Sequence, residues 1–303
     1  MKMKPFLKQQ EGAVIVLVAL MMSIFVGFLA LVMDMGSIYL EKNRLQKIAD
    51  AAALAGAQEL PNYYSQAEQE VQNAIHLNGG DLTNFTMTTN QSYTMLEVIV
   101  SKKATFYFAK ALGINEPIVQ ANARVELQPL SAGKGAIPLG VQPSSDLSFG
   151  SLQTLKVSDS ATGNFGAIAL TGPGAKDYET DLKYGYEFDL KVGTILNTQT
   201  GQLAGPTKRA IEHRISLCPN STYLNYTNDC SRIVLVPIFE SIQIDQNQIK
   251  QVKVVGFATF FLESVSSTST GAVVTGRFIN ETHAGQSSST QANFGTYSFK
   301  LTQ

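Results

Sequence analysis

From Ala13 to Met33 the chain reads AVIVLVALMMSIFVGFLALVM, 21 residues without a charge, a proline, an asparagine or a glutamine. A helix of that length rises ~31 Å, the thickness of the hydrocarbon core of a bilayer. The run predicts a transmembrane helix. A cleaved secretory signal would carry an apolar stretch of only about 7–15 residues with a small-x-small site directly after it. Here the stretch is longer and Asp34-Met35-Gly36 follows, so a retained anchor is expected. Lys2, Lys4 and Lys8 before the run are matched by Lys42, Arg44 and Lys47 after it, which leaves the positive-inside comparison level. The α-amino group and the shortness of the leading tail favour a cell-membrane, single-pass topology with residues 1–12 as a cytoplasmic basic tail. Residues 34–303 are then extracytoplasmic.

The helix is expected to continue past the membrane. Asp34 to Leu60 lacks proline and is rich in Ala, Leu, Glu, Gln and Lys, and Pro61 then stops it. Along this projecting part, Leu45, Ala49, Ala52, Gly56 and Leu60 recur at spacings of three and four, a narrow face of small and apolar side chains. Two occupants are open for that face: a partner helix, for which small residues permit close approach, or the chain's own globular part. A second copy of the chain is one candidate partner.

Several residues of this segment form a pattern beyond composition: Gly12 opening the apolar run, Asp34-Met35-Gly36 closing it, Tyr39, Leu45-Gln46, and Ala49-Asp50-Ala51-Ala52-Ala53-Leu54-Ala55-Gly56-Ala57. In this order they resemble the N-terminal module of TadG-like proteins of the tight-adherence (Tad/Flp) pilus systems. The likeness extends weakly to Phe106–Leu127. It implies a bitopic or pilin-like envelope protein working with other pilus-assembly or pilin-like subunits, and it implies no enzymatic activity. Some relatives carry a metal site of the DxSxS kind. Asp146-Leu147-Ser148-Phe149-Gly150 has Gly where the second Ser should stand, and Asp159-Ser160-Ala161-Thr162 does not complete the motif either, so no metal is expected. Prepilin-type cleavage after Gly12 is disfavoured because Leu17 occupies the position where a glutamate belongs.

A chain of 303 residues holds about two folded units besides the anchor. Residues 61–128 read as a small α+β unit: a helix over 63–80, a hairpin of Thr83–Thr89 and Thr94–Lys102, a short helix over Ala104–Leu112, and a strand over Pro117–Gln128 with one buried face. Pro129 to Gly140, interrupted by Gly133, Gly135, Pro138 and Gly140, reads as a linker. Residues 141–303 read as a mostly β, sandwich-like domain with strands at Thr154–Val157, Ala167–Leu170, Gly185–Leu190, Ile233–Phe239, Gln251–Phe261, Ala272–Ile279 and Gly295–Leu301. The fold class is α+β. Gly163-Asn164-Phe165-Gly166 and Gly201–Thr207 are turn-like loops, either simple glycine turns or a partner-facing edge.

The chemistry carried by these residues is sparse. A net charge of −1 argues against nucleic acid as a partner. His76, His213 and His283 are isolated, no nucleophile elbow or phosphate loop occurs, and no cofactor is expected. Asp177, Glu179, Asp181, Glu187 and Asp189 lack the spacing of an EF-hand and read as a solvated surface. Cys218 and Cys230 lie close together in CPNSTYLNYTNDC, which predicts a local disulfide in an oxidising compartment. A membrane-anchored, non-enzymatic component of a Tad/Flp-type pilus is therefore the leading expectation. The alternative is an adhesin-like binding module on a membrane stalk, and an envelope hydrolase comes third.

Overall fold

A computed structural model describes residues 11–143, 145–158, 166–199, 201–245, 248–268 and 271–302. The basic tail with Lys2, Lys4 and Lys8, most of the Gly163–Gly166 loop, and Asp159–Thr162 lie outside them. Helix α1 (Glu11–Ala57) spans 47 residues, ~70 Å. From Val14 to Met33 every residue except Ala30 is exposed. This is the one helix among the described residues that is long and apolar enough to cross a membrane, with a mean hydropathy of 2.9 and none of that window buried. The helix ends at Ala57, short of the expected Leu60. Gln58, Glu59 and Leu60 donate to carbonyls three residues back, so the last turn tightens before Pro61 forces the stop.

Helix α2 (Tyr64–Leu77), strands β1 (Phe85–Thr89) and β2 (Met95–Lys103), a 3-10 turn at Ala109–Leu112 and strand β3 (Ile118–Gly133) follow. The strand over 117–128 is present and runs on. Its residues alternate strictly between exposed and buried from Ile118 to Val125, as the polar/apolar alternation requires. The expected helix at 104–112 shrinks to the 3-10 turn.

The second unit contains β4 (Leu152–Ser158), α3 (Ala175–Tyr184), β5 (Leu190–Lys191), β6 (Ile195–Asn197), α4 (Ala204–Leu217), β7 (Ile233–Asp245), β8 (Gln248–Thr268), β9 (Gly271–Ile279), β10 (Glu281–Thr282), β11 (Gly285–Ser287) and β12 (Thr296–Thr302). The chain is thus a long apolar helix followed by mixed α+β with two sheets. One is seven-stranded, in the order β1-β2-β3-β12-β10 with β5 and β11 also on β3; the other is five-stranded, in the order β4-β9-β8-β6 with β7 also on β8. Between α3 and α4 the buried Tyr178 hydroxyl lies 2.9 Å from Thr207 Oγ1. Tyr178, Leu182, Ala210 and Ile211 pack with Val236, Phe260, Val274 and Phe278 of the five-stranded sheet.

Three expectations change. The stretch 129–140 is not a linker: β3 continues through it to Gly133, and Ala136, Ile137 and Leu139 are buried. Gly140 sits there because a Cβ would lie 2.5 Å from the Phe239 ring, so its glycine marks close packing instead of chain freedom. The unit at 61–128 is not closed, since it takes its core from α1 and its fourth strand, β12, from the far end of the chain. Finally, of Gly185–Leu190 only Leu190 lies in a strand, β5, Ala167–Leu170 makes only isolated bridges, and Asp177, Glu179 and Asp181 of the acidic stretch lie in helix α3.

Candidate functional site

The projecting half of α1 has its occupant within the chain. Leu45, Ala49, Ala52 and Leu60 are buried in one core with Ala67, Val71 and Ile75 of α2 and with Leu96, Val98, Ala121, Ala123 and Val125 of the sheet. Gly56 is buried too, and a Cβ there would meet Val71 Cγ2 at 2.5 Å and Leu96 Cδ2 at 2.8 Å. Of the two occupants open in the sequence, the chain's own sheet covers the face.

Polar residues of α1 finish the attachment. β12 pairs with β3 only from Arg124 to Pro129, which leaves the earlier part of that edge unpaired by it. Gln46 Nε2 donates to Asn122 O at 2.8 Å, and Lys42 Nζ donates to Gln120 O, so α1 covers the carbonyls of an edge that would otherwise be open to a foreign strand. Gln46 also holds Asp50 Oδ1 at 2.8 Å, and Arg44 reaches Gly79 O at 3.0 Å.

At the C-terminal end of the apolar run the same logic operates on a loop. Asp34 is buried, and its carboxylate accepts the backbone N–H groups of Tyr107, Phe108 and Ala109, with the shortest contacts at 2.7 Å. These are the orphan donors at the start of the 3-10 turn, which an acidic side chain satisfies as an N-cap would. Ser37 Oγ donates to Thr105 O at 2.9 Å. Asp34 and Ser37 thereby clamp residues 105–109 against α1. Sequence reasoning placed Asp34 at the membrane exit but could not supply its partners, which lie over 70 residues away.

Of the pattern running from Gly12 to Ala57, Asp34, Leu45-Gln46 and most of Ala49–Ala57 are thus contacts locking one helix to one sheet and one loop, whereas Tyr39 and Leu54 are exposed. Residues 12–59 match the family model of putative Flp pilus-assembly TadE/G-like proteins. No curated protein and no solved structure matches the chain. The TadE/G-like segment is therefore the part of the chain with a recognised relationship, and it packs against the remainder through α2, β2 and β3.

Beyond the TadE/G-like segment, two hollows gather titratable groups. Where α1 turns into α2, a polar hollow of ~90 Å³ is walled by Glu59, Tyr63, Tyr226 and Glu281, among others. It has room for about three waters. Tyr226 donates to Glu281 Oε2 at 2.7 Å and Asn62 Nδ2 to Asn280 O at 2.6 Å, so these residues tie the end of α1 to the C-terminal part. Burial pushes the Glu281 carboxyl above its ordinary value, with the Glu59 charge adding to the rise. Burial likewise raises Glu59, helped by Glu70, and holds Tyr226 protonated far above its ordinary value. The second hollow, ~600 Å³, runs beside it past Tyr184, Asp229, Thr259, His283 and Phe299.

The remaining candidates are structural. Cys218 and Cys230 form a disulfide with S–S 2.02 Å and Cα–Cα 5.6 Å. Arg232 fills the enclosed loop, donating to Ser221 O at 2.8 Å and stacking on the Phe261 ring. Of the acidic stretch, Asp181 is buried and accepts Thr171 Oγ1 at 2.7 Å, while Glu179 pairs with Lys183 and Arg209. Among the described residues no group of three His, Cys, Asp or Glu is placed to hold a metal ion. His213 packs edge-on against Tyr184, and His76 is exposed.

Proposed function

We propose that the protein is a membrane-anchored structural or assembly component of a Tad/Flp-type pilus, with its N-terminus cytoplasmic and its two-sheet region outside, and that it performs no catalysis. The observation that carries the reading is the division of labour along α1: Val14–Met33 is exposed to whatever surrounds it, while Leu45–Leu60 is sealed into the chain's own core. An exposed apolar helix of this length is stable only in lipid or against other apolar helices. The surface left for pilus subunits is then the apolar run itself together with Met35, Tyr39 and Leu40, which are exposed just beyond it. Protease treatment of intact cells carrying a C-terminally tagged copy tests the topology: loss of the tag with a short membrane-bound remnant is expected, and full protection would refute it. A photo-crosslinker at Tyr39 should join pilus subunits where one at the buried Ala52 does not.

The ~600 Å³ hollow favours a second reading, a displayed binding module, because its lining mixes aromatic and charged side chains. Sheared pili separate the two: a pilus component leaves with the filament, whereas a stalked binding module remains in the membrane fraction.

A further inference from the structure

The clamp at Asp34 holds a loop that is itself apolar. Between β2 and β3, Tyr107, Phe108, Leu112 and Ile114 are exposed, with Leu112 at 80%. The loop does not project away from α1. Phe106, Phe108, Leu112 and Ile114 share with Ile24, Phe28, Leu31 and Asp34 the walls of one apolar hollow of ~520 Å³. Ile24 lies ten residues before Asp34, ~15 Å nearer the cytoplasmic end along the helix.

We propose that the loop of residues 105–114 enters the outer leaflet of the bilayer beside α1, making a second membrane contact that sets the tilt of the two-sheet region. The proposal rests on α1 being the membrane anchor. If the loop stayed outside the lipid, the helix it flanks would stay outside with it from Ile24 onward. Only the 11 apolar residues Ala13–Ser23 would remain, ~16 Å against a hydrocarbon core of ~30 Å. Placing the whole run in the bilayer places the loop there too.

The polar groups of the loop agree with this position. Backbone amides at membrane depth must find their partners within the protein. Asp34 takes the N–H groups of Tyr107, Phe108 and Ala109, Ile114 N donates to Ala109 O, and Ser37 donates to Thr105 O. Lys110, the charge within the loop, reaches back to Glu116 at 3.5 Å, as a lysine does when its stem lies in apolar surroundings and its head seeks the interface. Lys103 pairs with the same Glu116 at 3.3 Å, and Lys102 pairs with Glu41 at 3.0 Å, forming a charged girdle behind the loop at headgroup level.

The chain contains no tryptophan, so one introduced indole reports its own surroundings. The full-length protein is reconstituted in vesicles of phospholipid brominated on the acyl chains, carrying Leu112→Trp in the loop, Leu29→Trp on the anchor or Ile195→Trp on distal β6; Ile114→Trp replaces the first variant should it misfold. Quenching of the loop indole comparable to that of the anchor indole, with the distal one unaffected, is the expected result. An anchor indole that bromolipid does not quench would overturn the membrane reading of α1 and this proposal with it. A quenched anchor indole beside a loop indole reached only by aqueous iodide would overturn this proposal alone. A loop indole reached by neither quencher would overturn it in favour of a protein, such as a second copy, seated in the hollow.

Discussion

Gly56 sets the separation of three elements by what it lacks. Substitution by alanine would raise intrinsic helix propensity by up to ~1 kcal/mol, but the new methyl would meet Val71, Leu96 and the carbonyl of Ala67 at 3.0 Å or less. Overpacking of this kind costs ~1–3 kcal/mol. Gly56→Ala is therefore expected to be net destabilising, measured as a lower midpoint of urea unfolding in detergent. Asp34→Ala strips three N–H groups of their acceptor, at about 1–3 kcal/mol for each left unsatisfied. Faster hydrogen exchange confined to residues 105–114 should result, with Asp34→Asn intermediate because one carbonyl oxygen is retained. At Glu281 the prediction concerns pH. Its carboxyl binds a proton more readily folded than unfolded, so its contribution to stability is full below the ordinary value of 4.5 and is lost as pH climbs through the raised folded value. Glu281→Gln should flatten the fall in melting temperature that the wild-type protein shows across that window.

Among the elements, β3 does the most to organise the chain. It carries β2 from Ile118 to Glu126 and β12, β11 and β5 toward its end, and so passes from one unit into the next. Its first half was legible from alternation alone. Its end from Pro129 and the stretch beyond it were not, because Pro129, Gly133, Gly135, Pro138 and Gly140 carry the composition of a linker. In the fold those glycines answer to neighbours: Gly133 lies beside Leu130 and His283, and Gly185 sits on the backbone of Gly135. Helix α3 was missed for a related reason. Its acidic residues suggested a solvated surface, yet Asp181 is buried against Thr171 and Glu179 is ion-paired. The Cys218–Cys230 loop was read correctly, and its bridge is expected to contribute about 3 kcal/mol in the chain-entropy model. A Cys218→Ser/Cys230→Ser double variant should show that loss in reversible unfolding.

At the scale of the molecule, the TadE/G-like segment is at once the exposed apolar run and part of the core. A fragment beginning at Pro61 would leave the apolar faces of α2 and β2 uncovered, since Leu45, Ala49, Ala52 and Ala53 all lie in that core. Such a fragment is expected to aggregate, whereas one beginning at Asp34, held in mild detergent for its exposed loop at 105–114, should show a cooperative thermal transition. Circular dichroism of the two fragments checks this. The comparison bears on function as well. The exposed run and the sealed stretch belong to one continuous helix, so a tilt of the exposed run would be passed to the seven-stranded sheet through the core that sheet shares with α1.

What the sequence determined by itself was whatever depends on local pattern: the apolar run, the helix beyond it, the hairpin, the alternation of β3 and the close cysteine pair. Each follows from periodicity, propensity or short spacing within one segment. Only the tertiary structure decided which surface covers Leu45–Leu60, what Asp34 binds, where β12 pairs and which loop lies against the apolar run. Those depend on residues brought together from tens to more than two hundred positions apart. Their contacts are chosen by complementary shape and by the need to satisfy buried polar groups, and neither leaves a period along the chain.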